Sequence, residues 1–324
     1  MKKIQFKSSL VNTLNNFITR KHVEEKKYIQ QAKILRQFDH FLVEQKFSEL
    51  AVNQHIVDLY VKNSQHLKPR TRYELLIVIQ QFLRYLRLFQ PQSYVPEFLP
   101  VKCIKNQRFF IYNHKQISAL LSAANSLKPN RSIRPHTFYT LIGILYTTGL
   151  RISEALALNL ENFREDQKLL YVVKGKFNKN RWVFLSSSAL NALKSYLQIR
   201  RKTASKSPET PIFINLKNQR LSYYAVYDTF RQLLKNSGLA NKGSPYPPRI
   251  HDLRHTFAVQ RLLQWYQEGE NLNAKLPALA TYMGHANLSD TQIYLHSTPE
   301  IRQQQHQRFY NYFQQHIKNY GGSK

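Results

Sequence analysis

One stretch of this sequence decides how the rest is interpreted: His251-Asp252-Leu253-Arg254-His255, then Gly284-His285-Ala286-Asn287-Leu288, then Tyr294. Its first piece is predicted to be helical, and this places His251 and Arg254, three positions apart, on one face. An arginine that grips two oxygens, beside a histidine that donates or accepts a proton, suits a phosphate group. Tyr294 follows His285 by nine positions. A phenol can act as a covalent nucleophile where neighbouring cations stabilise its ionised form.

Two further motifs lie upstream of this stretch. The first, Thr148-Gly149-Leu150-Arg151-Ile152-Ser153-Glu154, supplies a second arginine, with Glu154 three positions later on the same helical face. The second is a polar turn rich in Gly, Lys and Asn, residues 174–181, between the β-rich runs 169–173 and 182–185. These two runs predict an antiparallel hairpin.

Together and in this order, the motifs resemble those of the tyrosine recombinase, or phage integrase, family. The resemblance is close from about residue 116 to 294 and extends to the N-terminal third only in general character. It implies a mainly α fold of two domains. The first is a helical, SAM-like core-binding domain, and the second is an α-rich α+β catalytic domain with a small antiparallel sheet.

The resemblance also assigns catalytic roles to these residues: Arg151, Lys176, His251, Arg254, His285 and Tyr294. Tyr294 is expected to attack a DNA phosphorus, while Arg151 and Arg254 neutralise charge on the non-bridging oxygens. His251 is expected to accept the tyrosine proton or to hydrogen-bond an oxygen, and His285 to donate to another. Glu154 is expected to orient Arg151.

The leaving 5′ oxygen needs a proton, which a lysine on the hairpin can deliver. Lys174, Lys176 and Lys179 compete for this role. Anchoring the hairpin on Asn178-Lys179-x-Arg181 places the family's lysine at Lys176. The family usually has a glycine after that lysine, whereas this chain has Phe177, so the shape of the turn leaves the choice of lysine open.

The composition indicates a polyanionic partner. Lys and Arg number 48 against 19 Asp and Glu, giving a formal net charge of +29 and a pI near 10.1. Nucleic acid is the commonest polyanion that such a chain meets. An anionic membrane is less favoured because the positive charge is spread along the whole chain rather than gathered on one amphipathic helix.

Several classes of protein and site are disfavoured. The single cysteine, Cys103, excludes an internal disulfide and a cysteine-based metal cluster. Met1-Lys2-Lys3 imitates the start of a signal peptide, but polar residues interrupt the apolar run that should follow. No stretch approaches the ~20 apolar residues of a membrane span, so we expect a cytoplasmic protein. Without a Gly-rich nucleotide loop, we also expect no ATP, metal or other cofactor.

The chain divides by pattern into three parts. Residues 1–90 carry repeated apolar stripes at helical spacing and predict a helical, DNA-clamping domain. Residues 91–108 contain Pro91, Pro96 and Pro100 with little periodicity and are predicted to be a linker. Residues 109–324 would form the catalytic domain, ending in a tail helix over about 297–324.

Two basic clusters are predicted to contact DNA. Arg70, Thr71 and Arg72 lie where a long helix begins, and backbone N–H groups there favour phosphate. For each of them, a solvated basic helix start is the alternative. The second cluster opens a later helix and consists of Arg220, Tyr223 and Tyr224.

The function implied is that of a site-specific DNA recombinase of the integrase or transposase type. The resemblance implies a 3′-phosphotyrosine intermediate and a four-way (Holliday) junction. It also implies four protomers on two double-stranded DNA sites, with the C-terminal tail exchanged between protomers, and accessory recombination proteins are a further class of partner. The run Leu276-Pro277-Ala278-Leu279, with Tyr282 and Leu295, resembles transposon-borne members.

Two alternatives stay open. A DNA-binding protein of the same fold without catalysis would bind DNA but capture none covalently. A metal-dependent hydrolase would use His251 and His255, four positions apart, in an imitation of the His-Glu-x-x-His zinc motif. The second is weak because Asp252 is shorter than the usual glutamate base and Arg254 would place a cation near the metal.

Overall fold

The computed structural model describes residues 5–24, 28–97, 109–129, 131–173, 180–202, 204–240 and 246–297. The chain divides into two compact units, Met1–Asn106 and Gln107–Lys324. Lys176 and nearly all of the predicted tail helix lie outside the described residues. Within those ranges, no helix combines the length and the apolar character that crossing a membrane requires.

The described part of the first unit is helical, as the apolar stripes predict. Its α-helices are α1 (Val11–Val23), α2 (Ile29–Glu44), α3 (Gln54–Asn63) and α4 (Pro69–Leu86). Side chains from all four helices form one core, in which the most deeply buried include Leu14, Phe17, Leu35, Phe38, Phe82 and Leu83. Burying these stripes against one another is what makes helices of this length stable in water.

The start of α4 is fixed by its own sequence. Pro69 occupies the first helical position, where its missing N–H costs nothing and its locked φ suits the helix. The Arg72 guanidinium reaches back to the end of α3, donating to the Ser64 hydroxyl at 3.1 Å and the Val61 carbonyl at 3.2 Å. Arg70 is exposed and pairs with Glu74 at 3.0 Å. Arg72 therefore has a structural partner, whereas Arg70 and the exposed Thr71 face solvent.

The first residues of the predicted linker are held against the helical unit. The Tyr94 N–H donates to the Val52 carbonyl at 2.8 Å, and the Gln80 side chain donates to the Pro96 carbonyl at 2.7 Å. Residues 98–108 lie outside the described part of the chain. Prolines and missing periodicity thus indicate where regular helix ends. They do not show that the segment separates from the helical unit.

The second unit is built around α6. Its described helices are α5 (His114–Asn125), α6 (Ile133–Thr148), α7 (Ile152–Ala157), α8 (Ser187–Arg200), α9 (Tyr223–Asn236), α10 (Asp252–Gln267), α11 (Leu272–Met283) and α12 (Ser289–Ser297). Helix α6 packs against α5, α8 and α10. Most of it is buried, from Thr137 and Leu141 to Ile144, whereas His136 is exposed and Tyr139 is half-buried.

A small antiparallel sheet completes this unit. Strands β1 (Phe163–Arg164), β2 (Leu169–Val172) and β3 (Arg181–Phe184) lie in the order β1-β2-β3, with Val172 opposite Arg181. The predicted hairpin of β2 and β3 is confirmed. Strand β1 was not predicted, because two residues are too few for an alternating pattern to show. Strand β3 begins at Arg181, whose side chain enters the site described next.

Candidate active site

Two arginines from distant parts of the chain meet at the C-terminal end of α11. The Arg254 guanidinium donates to the Gly149 carbonyl at 2.6 Å and to the Met283 carbonyl at 2.7 Å. Arg151 donates to the Gly284 carbonyl at 3.0 Å and to the Met283 carbonyl at 3.4 Å. Carbonyls at a helix C-terminus lack helical partners and form the negative end of its dipole. This helix end therefore brings two like charges together.

Two glycine turns make this meeting possible. Helix α6 ends at Gly149 and α11 ends at Gly284, each with φ of +66°. The left-handed conformation is inexpensive only for glycine. At Gly149 a Cβ atom would also lie 2.4 Å from the Phe257 ring. The first turn places Arg151 at the start of α7 and exposes the carbonyl that Arg254 binds.

Glu154 joins the arginine pair to the sheet. Its carboxylate accepts hydrogen bonds from the Arg151 backbone N–H at 3.0 Å and guanidinium at 2.9 Å, and from two nitrogens of Arg181 at 2.8 and 3.1 Å. Burial disfavours its charged form, but hydrogen bonds and charge from Arg181, and then from Arg151, outweigh this and lower the pKa to about 2. Glu154 is in the position expected for a residue that orients Arg151.

Arg181 is a site residue that the sequence interpretation used only to anchor the hairpin. Besides Glu154, its guanidinium binds the Tyr282 carbonyl at 2.8 Å, so a third cation reaches the end of α11. A Cβ atom on Gly284 would lie 3.0 Å from its terminal nitrogen. The sequence feature that could have identified Arg181 as a site residue is its position, directly after a lysine-rich turn and at the start of a β-rich run. Arg181 thus connects the hairpin to Arg151 through Glu154.

The described side chains of the site carry more positive than negative charge, so the site is suited to bind an anion. Arg254 is buried, and burial together with the neighbouring Arg151 lowers its pKa to about 9. Two charged guanidiniums in a desolvated place repel each other, and one carboxylate, shared with Arg181, offsets them only in part. A phosphate would supply the missing negative charge in the fork-shaped geometry that guanidinium groups favour.

Tyr294, on α12, lies in the field of both arginines. Its side chain is 1% exposed. Burial raises the pKa of its phenol to about 12, and the charges of Arg254 and then Arg151 act against that rise. The phenol, the two arginines and Glu154 therefore belong to one environment within a single chain.

The two predicted histidines flank this environment differently. The Nδ1 atom of His285 lies 2.7 Å from the hydroxyl of the buried Thr291, which fixes the ring between α11 and α12. His251 is exposed at the N-cap of α10. Its ring lies edge-on to the ring of His255, with centroids 4.8 Å apart. His285 is thus held inside the site and His251 stands at its solvent side.

His255 is the second residue whose placement the sequence interpretation missed, because it was considered only as a metal ligand. Its Nδ1 atom lies 2.9 Å from the Tyr294 hydroxyl oxygen. Burial, and then the charge of a protonated His251, lower its pKa to about 3. The signal in the sequence was a histidine directly after Arg254, on the helix that carries the phosphate-binding pair.

The metal-hydrolase alternative gains nothing from this geometry. The Asp252 carboxylate is buried and accepts hydrogen bonds from the Arg249 backbone N–H at 2.7 Å and guanidinium at 2.9 Å. The Nδ1 atom of His255 faces a phenol. Among the residues that the structure describes, no three His, Cys, Asp or Glu side chains come together in a way that could hold a metal ion.

The second DNA-contact cluster is exposed to solvent, but its arginine is also bound by its own chain. The Arg220 guanidinium binds the Leu156 carbonyl and the Asn159 side chain, the latter at 2.6 Å, so it holds the turn after α7. Tyr223 and Tyr224 are 51% and 80% exposed at the start of α9. Their contact with DNA stays a prediction, as does that of Arg220.

The comparison with known proteins agrees with this geometry. The sequence model of the phage integrase family matches residues 111–300, which include the arginines, histidines and tyrosine of the site. The chain belongs to this family. Its enzymatic class is therefore that of a tyrosine-type site-specific DNA recombinase, as the resemblance implied.

Individual relatives extend the match beyond the catalytic unit. A Sinorhizobium fredii protein that carries the name integrase/recombinase y4rB is 34% identical over 230 residues, covering 69% of this chain and 73% of its own. Tyrosine recombinase XerC of Thermodesulfovibrio yellowstonii is 37% identical over 160 residues, 48% of each chain. The Tn1549 transposon integrase, solved with circular intermediate DNA, is similar in fold, with a TM-score of 0.66, 16% identity, and coverage of 91% of this chain and 99% of that one.

Proposed function

We propose that this recombinase cuts and rejoins double-stranded DNA through a covalent 3′-phosphotyrosine on Tyr294. The observation that carries the proposal is the placement of the Tyr294 phenol in the combined field of Arg254 and Arg151 at the end of α11. The Tn1549 transposon integrase, which is similar in fold, is solved in complex with transposon right end DNA, and the chain's net charge of +29 suits a polyanion.

The chemistry follows from the residues. The Tyr294 oxygen attacks a phosphorus, the bond from phosphorus to the 5′ oxygen breaks, and the bond energy is kept in the phosphotyrosine. His251 takes the phenol proton, and Lys176 gives a proton to the leaving 5′ oxygen. Arg151 and Arg254 bind the non-bridging oxygens, where charge accumulates in the transition state. His285 donates to one of them, and a 5′ hydroxyl from the partner strand reverses the step.

The assembly that this chemistry needs is also part of the proposal. Exchange between two duplexes passes through a four-way junction and uses four protomers on two DNA sites. The helical unit clamps the DNA with Arg70, Thr71 and Arg72, the catalytic unit adds Arg220, Tyr223 and Tyr224, and the 297–324 tail docks on a neighbouring protomer. We propose a cytoplasmic, mobile-element enzyme that works with accessory proteins, with the DNA beside its gene as the first place to search for its site.

A nicked suicide substrate tests the proposal. Such a duplex loses a short fragment after cleavage, so the covalent complex cannot religate and is seen as a shifted band on a denaturing gel. We expect the wild-type chain to give this band and Tyr294→Phe to give none. Tyr282→Phe is the matched control, because Tyr282 is a half-buried tyrosine on the adjacent helix α11, and it should capture DNA like the wild type. Low salt is needed, since phosphate contacts weaken steeply as salt rises.

Two results would contradict the proposal. Capture by Tyr294→Phe would mean that another residue is the nucleophile. Specific binding of the site by the wild-type chain without any covalent band would favour the catalytically inactive DNA-binding protein.

A further inference from the structure

A half-buried histidine with no part in the proposed chemistry faces the nucleophile. The His255 Nδ1 atom and the Tyr294 hydroxyl oxygen are 2.9 Å apart, which is hydrogen-bond distance. The two residues belong to different helices, α10 and α12, and lie 39 positions apart in the chain. Since α10 also carries Arg254, one rigid element holds both a phosphate-binding group and a partner of the phenol.

The His255 ring is fixed in place by its neighbours. Phe109 stacks on one face, with ring centroids 4.7 Å apart and planes 21° apart. His251 approaches edge-on at 4.8 Å. Phe109 also packs edge-on against Tyr294 at 5.4 Å. The phenol therefore has an aromatic wall on one side and a fixed nitrogen at its hydroxyl.

The electrostatic surroundings keep His255 neutral. Burial is the largest cause of its lowered pKa, and the charges of His251, Arg249, Arg254 and His285, all cationic or able to become so, add to that effect. A neutral ring with its hydrogen on Nε2 offers the Nδ1 lone pair as an acceptor. The phenol then donates its hydrogen bond to Nδ1.

His255 is a poor destination for the proton itself. Burial raises the pKa of the Tyr294 phenol to about 12 and lowers that of the His255 ring to about 3, so outright proton transfer between them is disfavoured. Holding the hydrogen bond requires no such transfer. The proton leaves to another base as phosphorus approaches, which is the role proposed for His251.

We propose that His255 is a positioning residue for the nucleophile: it accepts the Tyr294 hydrogen bond and directs the phenol oxygen toward the phosphate held by Arg151 and Arg254. This inference rests on the proposed role of Tyr294. Misplacing a reacting atom by about 1 Å can slow a reaction about 100-fold, which sets the effect to be expected.

The experiment compares three variants on the nicked substrate under single-turnover conditions with saturating DNA. His255→Leu removes the acceptor, and its rate constant for covalent capture should fall about 100-fold. His255→Asn places an amide near the position of Nδ1 and should restore capture to within about tenfold of wild type. DNA affinity should be equal in all chains. Since His255 does not titrate between pH 6 and 9, wild type and His255→Asn should show the same pH profile.

The outcomes separate this inference from the function on which it rests. Capture by His255→Leu at the wild-type rate overturns the proposed positioning role of His255. Capture by His255→Asn as slow as that by His255→Leu also overturns it, because the lost hydrogen bond would then not be the cause of the slower rate. Should His255→Leu fail to fold, the Asn variant decides alone, and a 100-fold loss there contradicts the proposal. Tyr294→Phe is included throughout: if it captures DNA, the proposed function itself fails.

Discussion

At the scale of single residues, Glu154 decides whether the arginine cluster can exist. Its side chain is 4% exposed and those of its partners Arg151 and Arg181 are 15% and 10% exposed. Removing one partner of a buried charge group is costly because the remaining charges lose their compensation. A neutral residue at position 154 would leave three guanidiniums at one helix end with only carbonyls to bind.

We therefore expect Glu154→Gln to lower the free energy of unfolding by about 3 to 5 kcal/mol at pH 7, measured by urea denaturation. The effect should depend on pH with a definite sign. The folded-state pKa of about 2 lies below the ordinary value of 4.5, so the stabilisation is complete above pH 4.5 and is lost as pH falls toward 2. The gap between wild type and variant should narrow below pH 4.5.

Glu165→Gln is the control for this comparison. Glu165 pairs with Lys194 at 2.6 Å, but both side chains are exposed, at 50% and 43%. Its replacement should change stability by less than about 1 kcal/mol. Equal effects of the two substitutions would show that the Glu154 network contributes no more than a surface ion pair.

At the scale of elements, the ends of α6 and α11 build the site. Both helices stop at a glycine in the left-handed conformation, and the carbonyls at these ends bind Arg254 and Arg151. The two turns differ in their surroundings. Around Gly149 a Cβ atom meets an aromatic ring at 2.4 Å, whereas around Gly284 it meets the end of the Arg181 side chain at 3.0 Å.

A series of three alanine substitutions separates backbone strain from crowding. Gly238 has φ of +70° and nothing within 4 Å of a Cβ atom, so Gly238→Ala should cost about 1 kcal/mol for strain alone. Gly149→Ala adds a clash with Phe257 and should cost about 3 kcal/mol or more, with a fall in covalent capture because the Arg254 anchor shifts. Gly284→Ala should lie between them. Urea denaturation measures all three, and equal costs at 149 and 238 would refute the crowding argument.

At the scale of the whole molecule, the chain consists of two units with a strongly positive charge overall, and its sequence predicts a tail helix over about 297–324. Charge of this kind steers a protein to DNA whatever the base sequence, so affinity by itself does not show recombination. Pairing of two sites is a distinct property of the assembly, and we assign it to the tail. The tail sequence carries apolar residues at helical spacing, namely Ile301, Phe309, Phe313 and Ile317.

Truncation after about His296 should therefore separate two activities. We expect binding of a single site and covalent capture to remain within a few-fold of the full chain, while the slower complex of two sites disappears from native gels. A full-length variant with serine at the four apolar tail positions should behave in the same way, because exchange requires the apolar stripe. Serine at Gln303, Gln304 and Gln314 is the control and should retain pairing. Normal pairing by the truncated chain would exclude tail exchange.

The sequence by itself determined the class of fold, the family and the order of the motifs. These follow from local rules: apolar spacing predicts helices, a polar turn between β-rich runs predicts the hairpin, and glycine predicts where α6 and α11 end. It also selected Arg151, Arg254, His285 and Tyr294, which the structure brings to one environment at the end of α11. Motif residues are separated in sequence by fixed distances, so they can be identified without knowing their contacts.

Only the tertiary structure decided which side chains contact one another. The partnership of His255 with Tyr294, and that of Arg181 with Glu154, join residues 39 and 27 positions apart. No local pattern encodes such pairs, because they result from the packing of α12 on α10 and of β3 on α11. Packing also made Arg72 and Arg220 structural partners of nearby carbonyls. A charged side chain has the same sequence signature whether it meets a phosphate or its own backbone, and only the fold distinguishes the two.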